Sequence, residues 1–135
     1  MKLINGKGAV LGRLASYVAK QALRGEDVVV LNCEEVIVTG NKKNIQEKFR
    51  EKRTKVGSGQ KGPKHSRNPE RVVKRTIRGM LPNHRRGRGK QALQRIKCYN
   101  RIPKEFENEK KIVAGKEKKF KHIDVKEIFK WKGIW

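Results

Sequence analysis

Apolar positions along the first thirty residues follow two spacings, one typical of strands and the other of helices. Residues 3–4 are apolar and are followed by Asn5, Gly6 and Gly8, which predicts a short strand that ends in a turn. Residues 28–31 are continuously apolar, the pattern of a strand buried on both faces of a parallel sheet. Between them, helical spacing is kept by Leu11, Leu14, Ala15, Val18 and Ala22. We therefore expect a strand, a helix that ends near Gly25, and a second strand.

The same alternation continues through the middle of the chain. A third strand is expected at residues 36–38, and a fourth at residues 97–99 after a short helix around residues 92–96. Asn41 and Asn68 are favourable N-cap residues, so each is expected to begin a basic helix. Strands that alternate with helices predict an α/β layered domain with a mainly parallel sheet.

Each of the two basic helices has an apolar side that predicts its buried face. In the helix after Asn41, Ile45 and Phe49 are expected to be core residues. Pro69 suits the first position of the helix that Asn68 caps. The buried side of this second helix is predicted to hold Val72, Val73, Thr76, Ile77 and Met80.

Two segments carry weaker patterns. Residues 56–69 are rich in Gly, Ser and Lys, and we expect them to form a mobile loop. Asp124 with Glu127 three positions later resembles a capping box and predicts the start of a short terminal helix. We divide the chain accordingly into an α/β domain with basic loops at residues 1–104 and a C-terminal extension with a short helix at residues 105–135.

Charge divides the chain more sharply than hydropathy does. The 135 residues include 36 Lys and Arg against 13 Asp and Glu, a net charge of +23. Residues 41–104 hold 22 of the basic residues and only 3 of the acidic ones. Such confined positive charge favours a polyanion as partner, with nucleic acid first and an anionic membrane surface second. We expect no membrane-spanning segment, because no apolar run approaches the roughly 20 residues that one needs.

The candidate nucleic-acid contacts are basic residues with few acidic neighbours. Arg85, Arg86 and Arg88 are interleaved with glycines, which let a backbone approach RNA closely. Phe49 and Tyr99 are the only aromatic residues of the basic half, whereas single-strand binders stack bases on several rings. We therefore expect contacts with the phosphates and 2′-hydroxyls of a folded RNA. The predicted contacts are Arg13, Lys42, Lys43, Arg50, Arg53, Lys55, Lys61, Lys64, Arg67, Lys74, Arg75, Arg78, Arg85, Arg86, Arg88, Lys90 and Arg95.

Other chemistries fit the residues less well. Gly6 and Gly8 lie where the first strand leads into a helix, but Leu11 takes the place of the third glycine of a dinucleotide-binding fingerprint. A tight turn explains these glycines, and the helix start also suits an RNA phosphate. The two cysteines and three histidines lack the close pairs of a structural zinc site, and so few cysteines fit a reducing cytosol. Residues 71–104 contain no Asp or Glu to act as a general base. We expect no cofactor, metal ion, small-molecule substrate or catalysis.

Three separated strings resemble the universal ribosomal protein L-thirteen family of the large ribosomal subunit. They are residues 8–16, residues 29–42 and, most specifically, residues 69–82, which read PERVVKRTIRGMLP. Residues 86–106 resemble the archaeal and eukaryotic branch of the family. The resemblance spans about residues 3–104, and the middle loop differs from that of bacterial members, so no RNA contact is transferred to that loop.

The resemblance implies a three-layer α/β/α domain with a four-stranded parallel sheet, bound to large-subunit ribosomal RNA. In the matched strings it implies RNA contacts at Arg13, Lys42, Arg78 and Arg88. The expected function is that of a cytoplasmic structural component of the large subunit, which binds folded ribosomal RNA and supports subunit assembly. Alternatives of other classes are an RNA-modifying or nucleolytic enzyme and a free-standing RNA-binding regulator.

The C-terminal residues concentrate large apolar side chains among lysines. Trp131 and Trp135 have the four-residue spacing of one helix face. One hypothesis is that a terminal helix docks Val125, Ile128 and Phe129 on its own domain. The other is that the tryptophans anchor a neighbouring ribosomal protein, since tryptophan is favoured in interface pockets.

Overall fold

The computed structural model describes residues 1–55, 59, 65–116 and 120–130. The strands are β1 (Lys2–Asn5), β2 (Val28–Leu31), β3 (Ile37–Thr39), β4 (Ile96–Cys98), β5 (Ile112–Val113) and β6 (His122–Asp124). The helices are α1 (Leu11–Leu23), α2 (Lys42–Thr54), α3 (Pro69–Gly79), α4 (Gly87–Gln94) and α5 (Val125–Ile128), with 3₁₀ turns at Cys33–Glu35 and Lys104–Phe106. Among the helices of these residues, none has the length and apolar character needed to cross a membrane.

Four parallel strands in the order β4, β2, β1, β5 form the central sheet. Leu3 of β1 lies beside Val29 of β2, and Val28 lies beside Ile96 of β4. All four residues of β2 are buried, as the continuous apolar run predicts. The expected α/β fold around a four-stranded parallel sheet is confirmed.

The two faces of the sheet are covered by different layers. Ile4 and Val30 belong to the larger core, to which α1, α2, α3, α4 and α5 all contribute buried side chains. Leu3 and Val29 belong to the smaller core on the opposite face, which Phe106 closes. The sheet therefore lies between a thick layer of helices and a thin layer that contains the second 3₁₀ turn.

The third predicted strand exists, but it lies outside the central sheet. β3 pairs antiparallel with β6, and Val38 lies opposite Ile123. The outer place beside β1 is taken by β5, where Ile112 lies beside Ile4. The strand pattern predicted neither β5 nor β6. A short strand has too few residues to specify its partner, and here each partner lies far along the chain.

The segment after residue 104 supplies part of the larger core. Val125 and Ile128 are fully buried, so the docking that the first C-terminal hypothesis expects is observed. The Asp124 side chain makes no cap hydrogen bond with any described residue, so the predicted capping box does not form. Trp131 and Trp135 lie outside the described residues. The division of the chain at residue 104 stays a prediction.

The glycines of the arginine-rich segment shape the protein's own backbone. Gly87 has a φ of 61°, a conformation that L side chains rarely adopt. Gly89 is buried inside α4, and a Cβ atom there would collide with the carbonyl oxygen of Pro82. The sequence predicts that these glycines adopt positive φ and let the backbone approach RNA closely. Gly87 does have a positive φ, and residues 87–90 form the first turn of a helix packed on its own chain, so close approach to RNA stays a prediction.

Candidate nucleic-acid interface

Helix α3 has an apolar inner side and a basic outer side. Val72, Val73 and Ile77 are buried in the larger core, as predicted, whereas Met80 lies just beyond the helix and is 43% exposed. Because residues three, four and seven apart share one face of a helix, the basic residues form a single stripe. The stripe consists of Arg71, Lys74, Arg75 and Arg78.

Two asparagines fix the start of α3. The Asn68 Oδ1 atom accepts a hydrogen bond from the Glu70 backbone N–H at 3.3 Å, as expected of an N-cap. Asn100 Oδ1 accepts from the same N–H at 2.9 Å, and Asn100 Nδ2 donates to Asn68 Oδ1 at 2.9 Å. Since Asn100 follows β4, this network ties the basic helix to the edge of the sheet.

A groove of about 580 Å³ lies along α3 between α2 and α4. Phe49, Val72 and Leu93 give it apolar surface. None of the described residues that line it is an Asp or a Glu, so its electrostatic potential is strongly positive. Its basic side chains are Lys52, Arg71, Lys74, Arg75 and Arg78.

Phe49 is shared between this groove and the core. Its ring packs edge-on against Phe129, with ring centroids 5.7 Å apart, and it contacts the larger core. The ring is nevertheless only half-buried, and Lys52 Nζ lies 5.3 Å from its centroid, within cation–π range. Phe49 was predicted to be buried in the core; it packs against the core but is only partly buried, and part of its ring is open to a basic surface.

His65 lies at the rim of the groove in a positive environment. Burial lowers its pKa below the usual 6.5, and the nearby charges of Arg75, Lys52 and Arg53 lower it further. Arg53 also donates a hydrogen bond from Nη1 to the His65 carbonyl oxygen at 2.7 Å. At neutral pH the imidazole is therefore neutral and has one hydrogen-bond donor and one acceptor.

Some of the predicted contact residues bind groups of the protein itself. Lys42 Nζ lies 3.5 Å from Glu127 Oε2, in an exposed ion pair. Arg95 Nη1 donates to the Ala22 carbonyl oxygen at 3.0 Å, near the end of α1, and Arg67 Nη2 approaches the carbonyl oxygen of Phe129 at 3.5 Å. Basic composition alone does not separate these structural roles from roles at an RNA surface.

The other predicted contacts divide by exposure. Lys74, Arg75 and Arg78 are half-exposed on α3, and Lys61 and Lys64 lie outside the described residues. The structure exposes Arg13, Lys43, Arg50, Lys55, Arg85, Arg86, Arg88 and Lys90. Contact of any of these residues with RNA stays a prediction.

Arg71 and Lys52 line the groove but were absent from the predicted contacts. Arg71 is exposed in the first turn of α3, where it lies on the same helix face as Lys74 and Arg78. The signal for Arg71 was present in the sequence as the spacing of three and seven residues. Lys52 has no comparable signal, because its place depends on how α2 packs beside α3.

The glycine-rich turn after β1 has a structural explanation. A Cβ atom at Gly6 would lie 2.9 Å from Val36 Cγ2 and 3.0 Å from the Leu31 carbonyl oxygen, closer than side chains pack. Gly8 has a φ of 73°. These constraints support the tight-turn interpretation of both glycines.

Cys33 and Cys98 come together although 64 residues separate them in the chain. A hydrogen bond with the Cys98 thiol and burial together raise the pKa of Cys33 far above its usual value. Among the described residues, no three His, Cys, Asp or Glu side chains are placed so as to hold a metal ion.

Comparison with known proteins identifies the family. The family model described as Ribosomal protein L13 matches residues 1–105. The large ribosomal subunit protein uL13 of Methanocaldococcus jannaschii is 42% identical, with 98% of both chains covered. That of Thermoplasma volcanium is 44% identical over 82% of this chain and 79% of its own, and that of Archaeoglobus fulgidus is 36% identical over 98% and 87%. Together with the parallel sheet and the basic face of α3, these matches show that the chain belongs to the Ribosomal protein L13 family.

Proposed function

We propose that this chain is a non-enzymatic, cytoplasmic component of the large ribosomal subunit, which binds folded large-subunit ribosomal RNA through its Lys/Arg-rich surface and supports subunit assembly. The relatives are named as large-subunit proteins, and the family model spans the whole basic half of this chain. No cofactor, metal ion or small-molecule substrate is part of the proposal.

The basic stripe of α3 is the observation that carries the proposal. Its inner residues Val72, Val73 and Ile77 fill the core, and its outer side carries basic side chains that are exposed or half-exposed. Four neighbouring cations repel one another in the free protein and are stabilised by a row of phosphates. The exposed residues Arg85, Arg86 and Arg88 extend the positive surface at the start of α4.

Sedimentation of cell extracts tests the proposal directly. We expect the protein almost wholly in the large-subunit peak, in stoichiometric amount with the other large-subunit proteins. A free-standing regulator would instead remain mainly in the soluble fractions, and an RNA-modifying enzyme would be substoichiometric. Either of those distributions would overturn the proposal.

The salt dependence of RNA binding tests the electrostatic part. Each neutralised phosphate contributes about −0.7 to −0.9 to the slope of log affinity against log salt. We expect the purified full chain to bind its ribosomal RNA fragment with a slope equivalent to at least about six contacts. A flat response would contradict binding through the basic surface.

We also propose that Trp131 and Trp135 contact a neighbouring ribosomal protein. Deletion of residues 132–135 separates this anchor from simple docking of the tail. An anchor predicts unchanged melting of the free protein, together with large subunits that lose a neighbouring protein or assemble slowly. Lower melting with normal subunits would show that the tail only stabilises its own domain.

A further inference from the structure

The groove along α3 has a feature that phosphate binding does not require. A surface that only follows a phosphate backbone needs exposed cations, whereas this groove also presents the apolar side chains of Phe49, Val72 and Leu93. Its volume of about 580 Å³ lies within the range of sites for small organic molecules. Carbon surface surrounded by cations suits a ligand that is itself part apolar and part anionic.

We propose that this groove receives one unpaired base of the bound RNA, with the adjoining phosphates held by the basic side chains at its rim. The inference rests on the proposed RNA-binding function and makes it more specific. An unpaired base packs its flat face on apolar and aromatic side chains, and its phosphates remain in reach of Arg and Lys. The ring of Phe49 supplies the aromatic surface, and Arg71, Lys74 and Arg78 supply charge on α3.

The contacts at Phe49 are compatible with an incoming base. Phe129 lies perpendicular to the ring at a centroid distance of 5.7 Å, and Phe49 keeps part of its surface in the groove. Lys52 lies over the ring, 5.3 Å from the centroid, but its side chain is exposed. A flexible lysine moves from a ring to a nearby phosphate at little cost, because both positions are in contact with water.

His65 adds hydrogen-bonding capacity beside the apolar surface. Its backbone is held by Arg53 at 2.7 Å, and its side chain lines the same groove. A neutral imidazole pairs with the polar edge of a base through one donor and one acceptor. The groove thus holds the three kinds of group that an unpaired nucleotide needs, namely ring, hydrogen-bonding edge and cations.

A matched pair of variants tests the inference in the full chain. The probe is a single-stranded octamer of uridylate, compared with the same octamer paired to its complement. We expect Phe49→Leu to weaken binding of the single strand about tenfold, since stacking contributes about 1–3 kcal/mol per base, and to leave the salt slope unchanged. Phe106→Leu removes a core ring from the smaller core on the opposite face of the sheet, away from the groove, and we expect its affinity to stay within about twofold of the wild-type protein.

Photocrosslinking of the unmodified protein gives a readout that does not depend on the stability of the variants. An octamer with 5-iodouridine should crosslink to Phe49, and the paired octamer should not. Equal affinity of Phe49→Leu and the wild-type protein, or crosslinks confined to other surfaces, would overturn the inference. Competition by an acidic octapeptide as effective as unlabelled octamer would also overturn it, because the groove would then bind anions of any kind. Sedimentation with the large subunit would be unaffected by these outcomes, so the proposed function is tested separately.

Discussion

Helices α1 and α3 pack side by side on the same face of the sheet, yet their outer sides have different compositions. Both bury an apolar side in the larger core. The exposed side of α1 is mixed, with Gly12, Arg13, Ser16, Tyr17 and Lys20, whereas α3 presents four basic residues in one stripe. The inner sides of both helices are buried in the same core, so the two helices differ mainly in the charge of their outer sides.

The two helices also begin in different ways. The backbone just before α1 is held by the sheet-like contact of Ala9 and Val10 with Ile37, including a hydrogen bond of 2.9 Å from the Ile37 N–H. α3 follows a Gly/Ser/Lys-rich stretch and is fixed by Asn68 and Asn100 instead. The start of α3 is therefore held by side chains, whereas the start of α1 is held by backbone contacts.

The largest expected effect is a loss of stability, which tests whether the buried sides of α1 and α3 contribute equally to the core. Val18 of α1 and Val73 of α3 are both fully buried, so Val18→Ala and Val73→Ala should each lower the free energy of unfolding by about 2 kcal/mol. Chemical denaturation measures both. If one variant were as stable as the wild-type protein, its helix would not be docked as described.

Substitutions on the exposed side of α3 should weaken RNA binding more than substitutions on the exposed side of α1. Replacing Arg71 and Lys74 with Ala should lower the log–log salt slope by about 1.4–1.8, because two phosphate contacts are lost. The matched control, Lys20→Ala on α1 with Arg24→Ala at its C-cap, also removes one lysine and one arginine and should leave the slope nearly unchanged. Both double variants should keep their free energy of unfolding within about 0.5 kcal/mol. Equal losses of slope would show that only net charge matters and would remove the distinction between the helices.

The cap of α3 should have a smaller effect on stability. Asn68→Ala removes one of the two acceptors for the Glu70 N–H and the partner of the Asn100 amide, and should cost about 1 kcal/mol of the free energy of unfolding. Ser16→Ala on α1, where an exposed hydroxyl donates to the Arg13 carbonyl oxygen, should cost less than about 0.5 kcal/mol. A larger loss of stability in Ser16→Ala than in Asn68→Ala would contradict the importance of the α3 cap.

The smallest effect is a pH dependence at His65. Burial and the charges of Arg75, Lys52 and Arg53 lower the pKa of His65 in the folded chain below its usual 6.5, so the unfolded chain binds the proton more readily. The contribution of the neutral His65 imidazole to the free energy of unfolding is therefore fully present above about pH 6.5. It is lost as the pH falls toward the lowered pKa. Melting of His65→Gln across this range should show a weaker decline than the wild-type protein. A parallel decline in both would assign the pH dependence to other groups.

Sequence patterns correctly predicted the features that depend on residues close together in the chain. The spacing of Leu14 and Val18, the continuous run of β2 and the caps at Asn41 and Asn68 all appear in the structure as expected. β5 could not be predicted, since two residues have no measurable periodicity and its place depends on β1. The start of α4 was not predicted, because Gly87 and Gly89 are weak helix formers; Gly87 is explained by its positive φ and Gly89 by its close packing against Pro82.

The candidate surface was predicted in outline and only partly in detail. The sequence located the basic half and the basic helix that contains Lys74 and Arg78, since charge and helical spacing are both local properties. It did not reveal that Arg95 also caps the end of α1, or that Lys42 pairs with Glu127. Those contacts join residues more than seventy positions apart, and they depend on the tertiary packing.

The pairing of β1 with β5 has a consequence for when the protein folds. Ile4 leaves the ribosome early in synthesis, but its sheet partner Ile112 is made 108 residues later. At usual translation speeds this interval is roughly 5–20 s, far longer than helix formation requires. In the same way, β3 is synthesised long before its partner β6, because Thr39 pairs with His122. The whole Lys/Arg-rich half is therefore synthesised before the sheet can close, and the new chain is exposed to surrounding polyanions while it is still only partly folded.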